Sequence, residues 1–510
     1  MMRWKCVLAL GTVPWLGACG GPQPDVTASL GQAQAADEAW VGAWAVSPQG
    51  SDASFQQQTL RQIVHPSLSG AAIRLRLSNV FGAADLHVDN VHIAEQVAGS
   101  QVKLETDQPV TFGGQTAVTI APGAMAVSDA VDFPLTAFTN VAVSFYLPEA
   151  TANATFHGQG TQDNYVAAGN VSDAQDLAGA TTRGSYYFLT NLDVDAPEAY
   201  GAVVTLGASI TDGVVSAQNA NKRWPNALAV RLADAGKPVG VLNQGISGNK
   251  LLQDGAGESA LKRFERDVIG QPGVRWVIFS DDPINDLGGG GVSADELIAA
   301  AGELIDAAHG AGIEFFCSTL TPYEGAGYWA PEGETARAAF NDFVRGPDSG
   351  CDAVVDQDEA THDPAQPTWY LPAFDAGDHL HPNEAGFQAI ADAVELDLFM
   401  PLPEAAGAGG AEAGAGGGSA GAGLAGSGGV AAPGGAGGGS AGTTALSGNA
   451  GGGAGGSGGT GGNGAASVTP DGSDSSPGCG CRLATKRERP RAPWLAVALL
   501  SLLSLYRRRR

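Results

Sequence analysis

The sequence predicts an α/β fold: a three-layer, doubly wound parallel sheet preceded by an antiparallel β-sandwich. Three observations carry this. After Tyr200, short continuous apolar runs alternate with helix-length stretches, as strands buried on both faces and their crossover helices do. Before residue 196 no long helical period occurs. Apolar and polar residues alternate there between closely spaced Gly, Asp and Asn, the pattern of half-buried antiparallel strands. A chain of 510 residues is also too long for one core, which points to two folded domains with appendages.

Residues 1–19 read as a signal peptide, with Arg3 and Lys5 before a mostly apolar run at 6–15. Leu16-Gly17-Ala18-Cys19 resembles a lipobox, which implies acylation of Cys19. The alternative is an ordinary signal peptide with a chance cysteine. Residues 20–38 form a polar tether. The strand-rich domain covers 39–196. Within 71–80, Ile73, Leu75 and Leu77 alternate with Arg74, Arg76 and Ser78; 110–120 and 141–147 follow the pattern more loosely. Without a visible aromatic platform, this domain is expected to be structural rather than glycan-binding. His65, His87, His92 and His157 share no metal-ligand spacing and are expected to be structural too.

The α/β domain covers 197–403. Strands are expected at 203–206, 239–243, 274–279, 313–319 and 353–356. Helices are expected at 223–235, 259–268, 294–311, 334–344 and 384–399. Residues 404–476 form a linker: 29 of the 64 residues from 405 to 468 are glycine, and no core can form from that. The last segment, 477–510, carries Cys479 and Cys481, thirteen mostly apolar residues at 494–506, and four terminal arginines. Thirteen residues are short for a spanning helix.

A net charge of −26 argues against nucleic acid as a partner, because phosphate binding needs a basic face. Of six cysteines, only Cys317 and Cys351 lie in the folded part. They could pair or stay reduced, and the position of Cys317 inside an apparent buried strand favours thiols. No metal site and no cofactor are expected; the one close histidine pair is His379 and His381.

The run 202–206 ends in Gly207-Ala208-Ser209, which places a serine at the carboxyl end of a parallel strand, where α/β sheets put their ligands. A serine hydroxyl needs a base. Asp378-His379-Leu380-His381-Pro382 offers one in His381, with Asp378 to orient it. His379 competes for the role, but the Asp-x-x-His spacing favours His381. Asp212 is expected to cap the helix that follows Ser209, and Asp286 to be structural.

These segments resemble, in order, the blocks of the SGNH/GDSL hydrolases. Residues 206–213 resemble block I, Asn243-Gln244-Gly245-Ile246-Ser247-Gly248-Asn249 the glycine block, Pro283-Ile284-Asn285-Asp286 the Gly-x-Asn-Asp block, and 378–382 the terminal block. The likeness extends upstream to Trp40-Val41-Gly42-Ala43-Trp44 and 59–65. It implies a flavodoxin-like fold, a Ser209–His381–Asp378 triad, and an oxyanion hole made by the N–H groups of Ser209 and Gly245 and the amide of Asn285. Two positions depart from the family. Ala208 replaces the usual Asp, which is expected to loosen the turn. Asp282-Pro283 replaces a pair such as Glu-Gly, and Pro283 could displace Asn285.

The resemblance implies a serine esterase that removes short acyl groups, acetyl foremost, from polysaccharides or small molecules. The alternatives are a lipase or lysophospholipase, or an impaired surface protein that binds glycan. The tail resembles the MYXO-CTERM sorting signal of myxobacterial surface proteins; the alternative is a short membrane anchor. An exported protein at the envelope of a Gram-negative, myxobacteria-like bacterium follows, held to the membrane by lipid alone.

Overall fold

The parallel sheet follows the strand order of flavodoxin-like proteins. In the computed structural model, which describes residues 40–51, 53–288 and 291–401, its five strands run β11 (Val239–Gly245), β10 (Gly201–Gly207), β12 (Val274–Phe279), β13 (Glu314–Ser318) and β14 (Ala353–Val355). All neighbours are parallel. The strand order reverses around β10, and such a switch point opens a crevice at the carboxyl ends of the strands.

The three layers follow from side-chain alternation. Val203, Trp276 and Ile278 face one way, into a cluster with Trp224, Leu228, Phe387 and Ile390. Those helical residues belong to α2 (Trp224–Asp234) and α7 (Glu384–Asp392). Val204, Val277 and Phe279 face the other way, with Phe264, Leu297, Leu304 and Phe340. These come from α3 (Ala260–Phe264), α5 (Ala294–Gly310) and α6 (Pro331–Arg345). α5 opens on a capping box between Ser293 and Glu296. Two expected helices are shorter than their patterns. The one at 259–268 turns into a π-helical segment at Glu265–Ile269, and the last ends at Asp392.

The N-terminal region is antiparallel and strand-rich, consistent with a β-sandwich. One sheet runs β1 (Trp40–Ala45), β9 (Leu189–Asp195), β3 (Ile73–Ser78) and β5 (Met125–Val127). The other contains β8 (Asn164–Ala168), β2 (Gln58–Val64), β6 (Val141–Leu147) and β4 (Leu86–Ala98) in that order. The alternation read at 71–80 is β3, whose Ile73, Leu75 and Leu77 are fully buried.

The two regions share one core. Trp44, Leu75 and Val194 lie in the same cluster as Val204, Leu206 and Leu242. β1 also covers β11, the edge strand of the parallel sheet. There Gly42 and Gly240 meet so closely that a Cβ on Gly240 would sit 2.0 Å from the Gly42 carbonyl oxygen. A Cβ on Gly42 would in turn lie 2.7 Å from Leu242 Cδ1, which explains the glycine within the Trp40–Trp44 motif. Ser67 adds a bond across the seam, its Oγ accepting from Val241 N at 2.8 Å.

Cys317 and Cys351 form a disulfide, with their Cα atoms 5.8 Å apart, so the preference for thiols is corrected. β13 and β14 are paired neighbours, and Cys351 precedes β14 at the level where the two strands meet. That register could not be read from the sequence. The expected signal peptide, tether, linker and sorting tail, with Cys19, Cys479 and Cys481, lie outside the described residues. Among the described residues, no helix is long and apolar enough to cross a membrane.

Candidate active site

Ser209 opens the short helix α1 (Ser209–Asp212), directly after β10. The turn is held by a residue the sequence did not single out. The buried Asp281 carboxylate accepts from the N–H groups of Ala208, Ile210 and Thr211, at 3.0, 2.7 and 3.2 Å, and from Thr211 Oγ1 at 2.6 Å. Such a carboxylate suits the unpaired donors of a helix start. The turn expected to loosen at Ala208 is therefore gripped by a carboxylate from the end of β12. Only the Ser209 N–H in this run has no hydrogen-bond partner among the described residues.

His381 Nε2 lies 2.9 Å from Ser209 Oγ, and His381 Nδ1 lies 2.7 Å from Asp378 Oδ2. Asp378 Oδ1 also accepts from His381 N at 2.9 Å. Partial burial alone would raise the Asp378 pKa. The hydrogen bonds and charge of His381 outweigh it and hold the carboxyl well below the usual range. An ionised Asp378 keeps the proton on Nδ1 and leaves Nε2 to accept from the serine hydroxyl. His379 points elsewhere: its Nδ1 lies 2.5 Å from Asp375 Oδ2.

Asn285 lies in α4 (Asp282–Asp286), where Pro283 falls in the first turn. The N–H that proline lacks needs no helical partner there. Asn285 is fixed at both ends of its amide. Nδ2 donates to Asn249 O at 2.8 Å, and Tyr328 Oη donates to Oδ1 at 3.1 Å. One amide hydrogen is left over. Asp286 is structural, accepting from Leu251 N and Leu252 N.

Gly245 requires a correction. Its N–H donates to Asn243 Oδ1 at 2.9 Å, so it is not free for a substrate. Its lack of a side chain matters sterically, since a Cβ would lie 2.4 Å from Asp212 N. The second glycine of the block, Gly248, has φ of 80°, and its N–H has no partner among the described residues. It precedes Asn249, whose carbonyl holds Asn285. Both glycines were visible in the sequence; what separates them is where their N–H groups point.

Asp212 does not cap α1 but ends it. Its carboxylate accepts from Ser247 N at 2.8 Å and Ser247 Oγ at 2.5 Å, and meets His157 Nε2 at 3.1 Å. His157 stands on β7 (Thr155–His157) of the N-terminal region, and its other ring nitrogen meets Ser47 O at 3.0 Å. This expected structural histidine thus couples the β-region to the serine helix. Beneath the site, the fully buried Arg263 donates to the carbonyls of Gly207, the last residue of β10, and Gln244, the last but one of β11, and to Asn249 Oδ1.

Arg263 also pairs with Asp282 at 3.3 Å. Burial pushes the Asp282 carboxyl up to about 7, reinforced by Asp281 and Asp286 and opposed by Arg263. An unfolded Asp titrates near ~3.9. Between these values the folded protein keeps a proton that the unfolded chain has released. This contribution to stability is full at low pH and is lost as pH rises through about 7. Asp282→Asn carries no charge at any pH and removes the dependence. The Tm of the wild type minus that of the variant is expected to be larger at pH 5 than at pH 8, measured calorimetrically.

The GDSL-like Lipase/Acylhydrolase family model matches residues 205–389, the segment that holds every residue of this site except the His157 coupling. This part of the chain is a GDSL/SGNH hydrolase domain. The protein is a carboxylic ester hydrolase.

Similar solved structures include a lipolytic protein of the G-D-S-L family from Desulfitobacterium hafniense, at 18% identity and TM-score 0.31, covering 38% of this chain and 97% of that one. An enzyme called LAE5, from the metagenome of Lake Arreo, Spain, is similar at 24% identity and TM-score 0.30, covering 38% and 93%. An acetyl xylan esterase from Geobacillus stearothermophilus is similar at 22% identity and TM-score 0.31, also covering 38% and 93%. Comparison with curated proteins gives no match.

Proposed function

We propose that this protein is an exported serine esterase that removes short acyl groups, acetyl foremost, from polysaccharide. The observation that carries the reading is the hydrogen-bonded chain from Ser209 Oγ through His381 to Asp378. In the reaction, His381 Nε2 takes the Ser209 proton as Oγ attacks the acyl carbon. The Ser209 N–H, the Gly248 N–H and the free amide hydrogen of Asn285 stabilise the oxyanion. His381 then protonates the leaving sugar oxygen, and the acyl group stays on Ser209. A water molecule, deprotonated by the same imidazole, releases the acid and restores the serine.

A short acyl group is favoured by where apolar space lies. An apolar cleft of about 600 Å³, lined by Leu68, Leu135, Pro238 and Val239 among others, contains no triad residue. Val239 begins β11, so the cleft sits at the end of the sheet opposite Ser209. The cleft beside the triad loop is lined by Asp363, Gln366, Asp375 and His379, which suits a hydroxylated alcohol. Export is supported by the disulfide, since such bonds persist in oxidising compartments. The lipobox-like and tail segments extend this to an envelope protein anchored by lipid through Cys19 or the Cys479/Cys481 motif.

The test is kcat/KM on p-nitrophenyl esters of two to twelve carbons. A maximum at acetate or butyrate is expected; a rise towards the longest chains would favour a lipase. Asn285→Ala is expected to lower kcat by about 10²–10³. Tyr328→Phe, which only loosens Asn285, should lower it by about tenfold.

A further inference from the structure

Next to the triad loop is a cluster that the chemistry above does not use. The hairpin of β15 (His362–Asp363) and β16 (Gln366–Tyr370) stands beside residues 375–381. Between them is a cleft of about 380 Å³, lined by Asp363, Gln366, Trp369, Tyr370, Asp375 and His379 among others. That volume is in the range of small-molecule sites.

His379 is held in the left-handed region, at φ 62°, which costs energy for a residue with a side chain. Asp375 keeps it there. Its Oδ1 accepts from Gly377 N at 2.7 Å and His379 N at 3.2 Å, and its Oδ2 binds His379 Nδ1 at 2.5 Å. The imidazole meets Trp369 edge-on, with ring centroids 5.2 Å apart. Gly325 closes the back: a Cβ there would lie 2.7 Å from the Trp369 ring and 2.9 Å from His379 Cδ2. The hairpin is tied to the segment that carries Gly325 by Glu324 N donating to Thr368 O at 3.0 Å. A strained residue fixed from three sides next to reacting groups marks a site under functional constraint.

The chemistry of the cluster indicates its ligand. The Trp369 ring offers an apolar face, and its indole N–H and the His379 Nε2 have no hydrogen-bond partner among the described residues. The His379 side chain is 41% exposed. Asp363 and Gln366 add acceptors and an amide on the same wall. An apolar ring face bordered by in-plane donors and acceptors matches a pyranose, with C–H groups on its faces and hydroxyls around its edge.

We propose that Trp369, His379 and Asp375 form a subsite for one pyranose residue of the glycan from which the acyl group is removed. This rests on the esterase reading above. The subsite binds the leaving-group side, so its contribution is to polymer affinity and not to the acyl transfer itself.

The test uses the full chain and two variants, Trp369→Ala and His379→Gly; the second restores the residue that favours a positive φ. kcat/KM is measured on acetylated xylotetraose and on p-nitrophenyl acetate. Each variant is expected to lose on the order of tenfold more on the tetrasaccharide than on the small ester, with the extra loss in KM. Equal losses on both substrates, or none, would overturn the subsite. So would a wild type that cleaves the small ester but not the tetrasaccharide. Deacetylated xylotetraose is also titrated onto Ser209→Ala, with and without Trp369→Ala, by isothermal titration calorimetry, which separates the two readings. If wild type cleaves neither substrate, the esterase reading fails. Binding that disappears with Trp369→Ala would then still support the subsite, and absence of binding would reject it.

Discussion

Replacing His381 by alanine is expected to lower kcat on p-nitrophenyl acetate by a factor on the order of 10⁴ or more. The imidazole is the group within reach of Ser209 Oγ, at 2.9 Å. His379 cannot replace it, because Asp375 and the strained backbone hold that ring away. Asp378→Asn should cost nearly as much, ~10⁴ by analogy with other Ser-His-Asp enzymes. An asparagine can present its amide hydrogens to Nδ1 and so stabilise the wrong tautomer. Steady-state kinetics check both, and the double variant His381→Ala/Asp378→Asn should be little worse than His381→Ala alone.

The second large effect is expected at Asp281. Asp281→Ala should lower kcat by about 10²–10³ with little change in KM. The carboxylate touches no reacting atom in the proposed mechanism, so Asp281 is a positioning residue. Three N–H groups around Ser209 converge on it. Without it they turn towards other acceptors, and the free Ser209 N–H turns with them. Asp281→Asn, which keeps acceptor capacity on one atom, should recover part of the loss. A merely structural role would instead lower Tm and leave kcat of the remaining folded enzyme unchanged. Measuring both separates the two.

The contrast between Asp281 and Ala208 bears on what a sequence can reveal. The family resemblance made Ala208 look like a lost carboxylate. The carboxylate is present, but it comes from the end of β12, more than seventy residues away in sequence, and only the pairing of β10 with β12 brings it there. Ser209, Asp378 and His381 were legible because each sits in a local pattern: a strand end followed by a helix, and a spacing of three within one loop. Asn285 was singled out by the family resemblance of residues 283–286 alone. The glycine proposed for the oxyanion site was not legible, because Gly245 and Gly248 differ in backbone direction and not in identity. The partner of His157, Asp212, and the Cys317–Cys351 bond were not legible, since each depends on which elements lie side by side. The alternation of apolar runs was enough for the layers, because burial on both faces of a sheet leaves its mark in composition.

The β-region packs on the catalytic region, as its reading as a structural domain implied. It supplies β1 against the sheet edge and His157 against Asp212. Ser47 lies next to Arg263, with Arg263 Nη1 donating to Ser47 Oγ at 3.0 Å. Breaking a buried charged network of this kind typically costs about 3–5 kcal/mol. The catalytic region and the region before it therefore share one core and a buried charged network.

Whether Ser209 is the nucleophile of an ester hydrolase is tested most directly by covalent labelling. The full chain is treated with a fluorophosphonate, and the labelled peptide is located by mass spectrometry, in parallel with p-nitrophenyl acetate hydrolysis. The account predicts one adduct, on Ser209, formed as activity disappears, and neither adduct nor activity in Ser209→Ala. Activity that survives in Ser209→Ala, or an adduct on another residue that tracks the loss of activity, would contradict it.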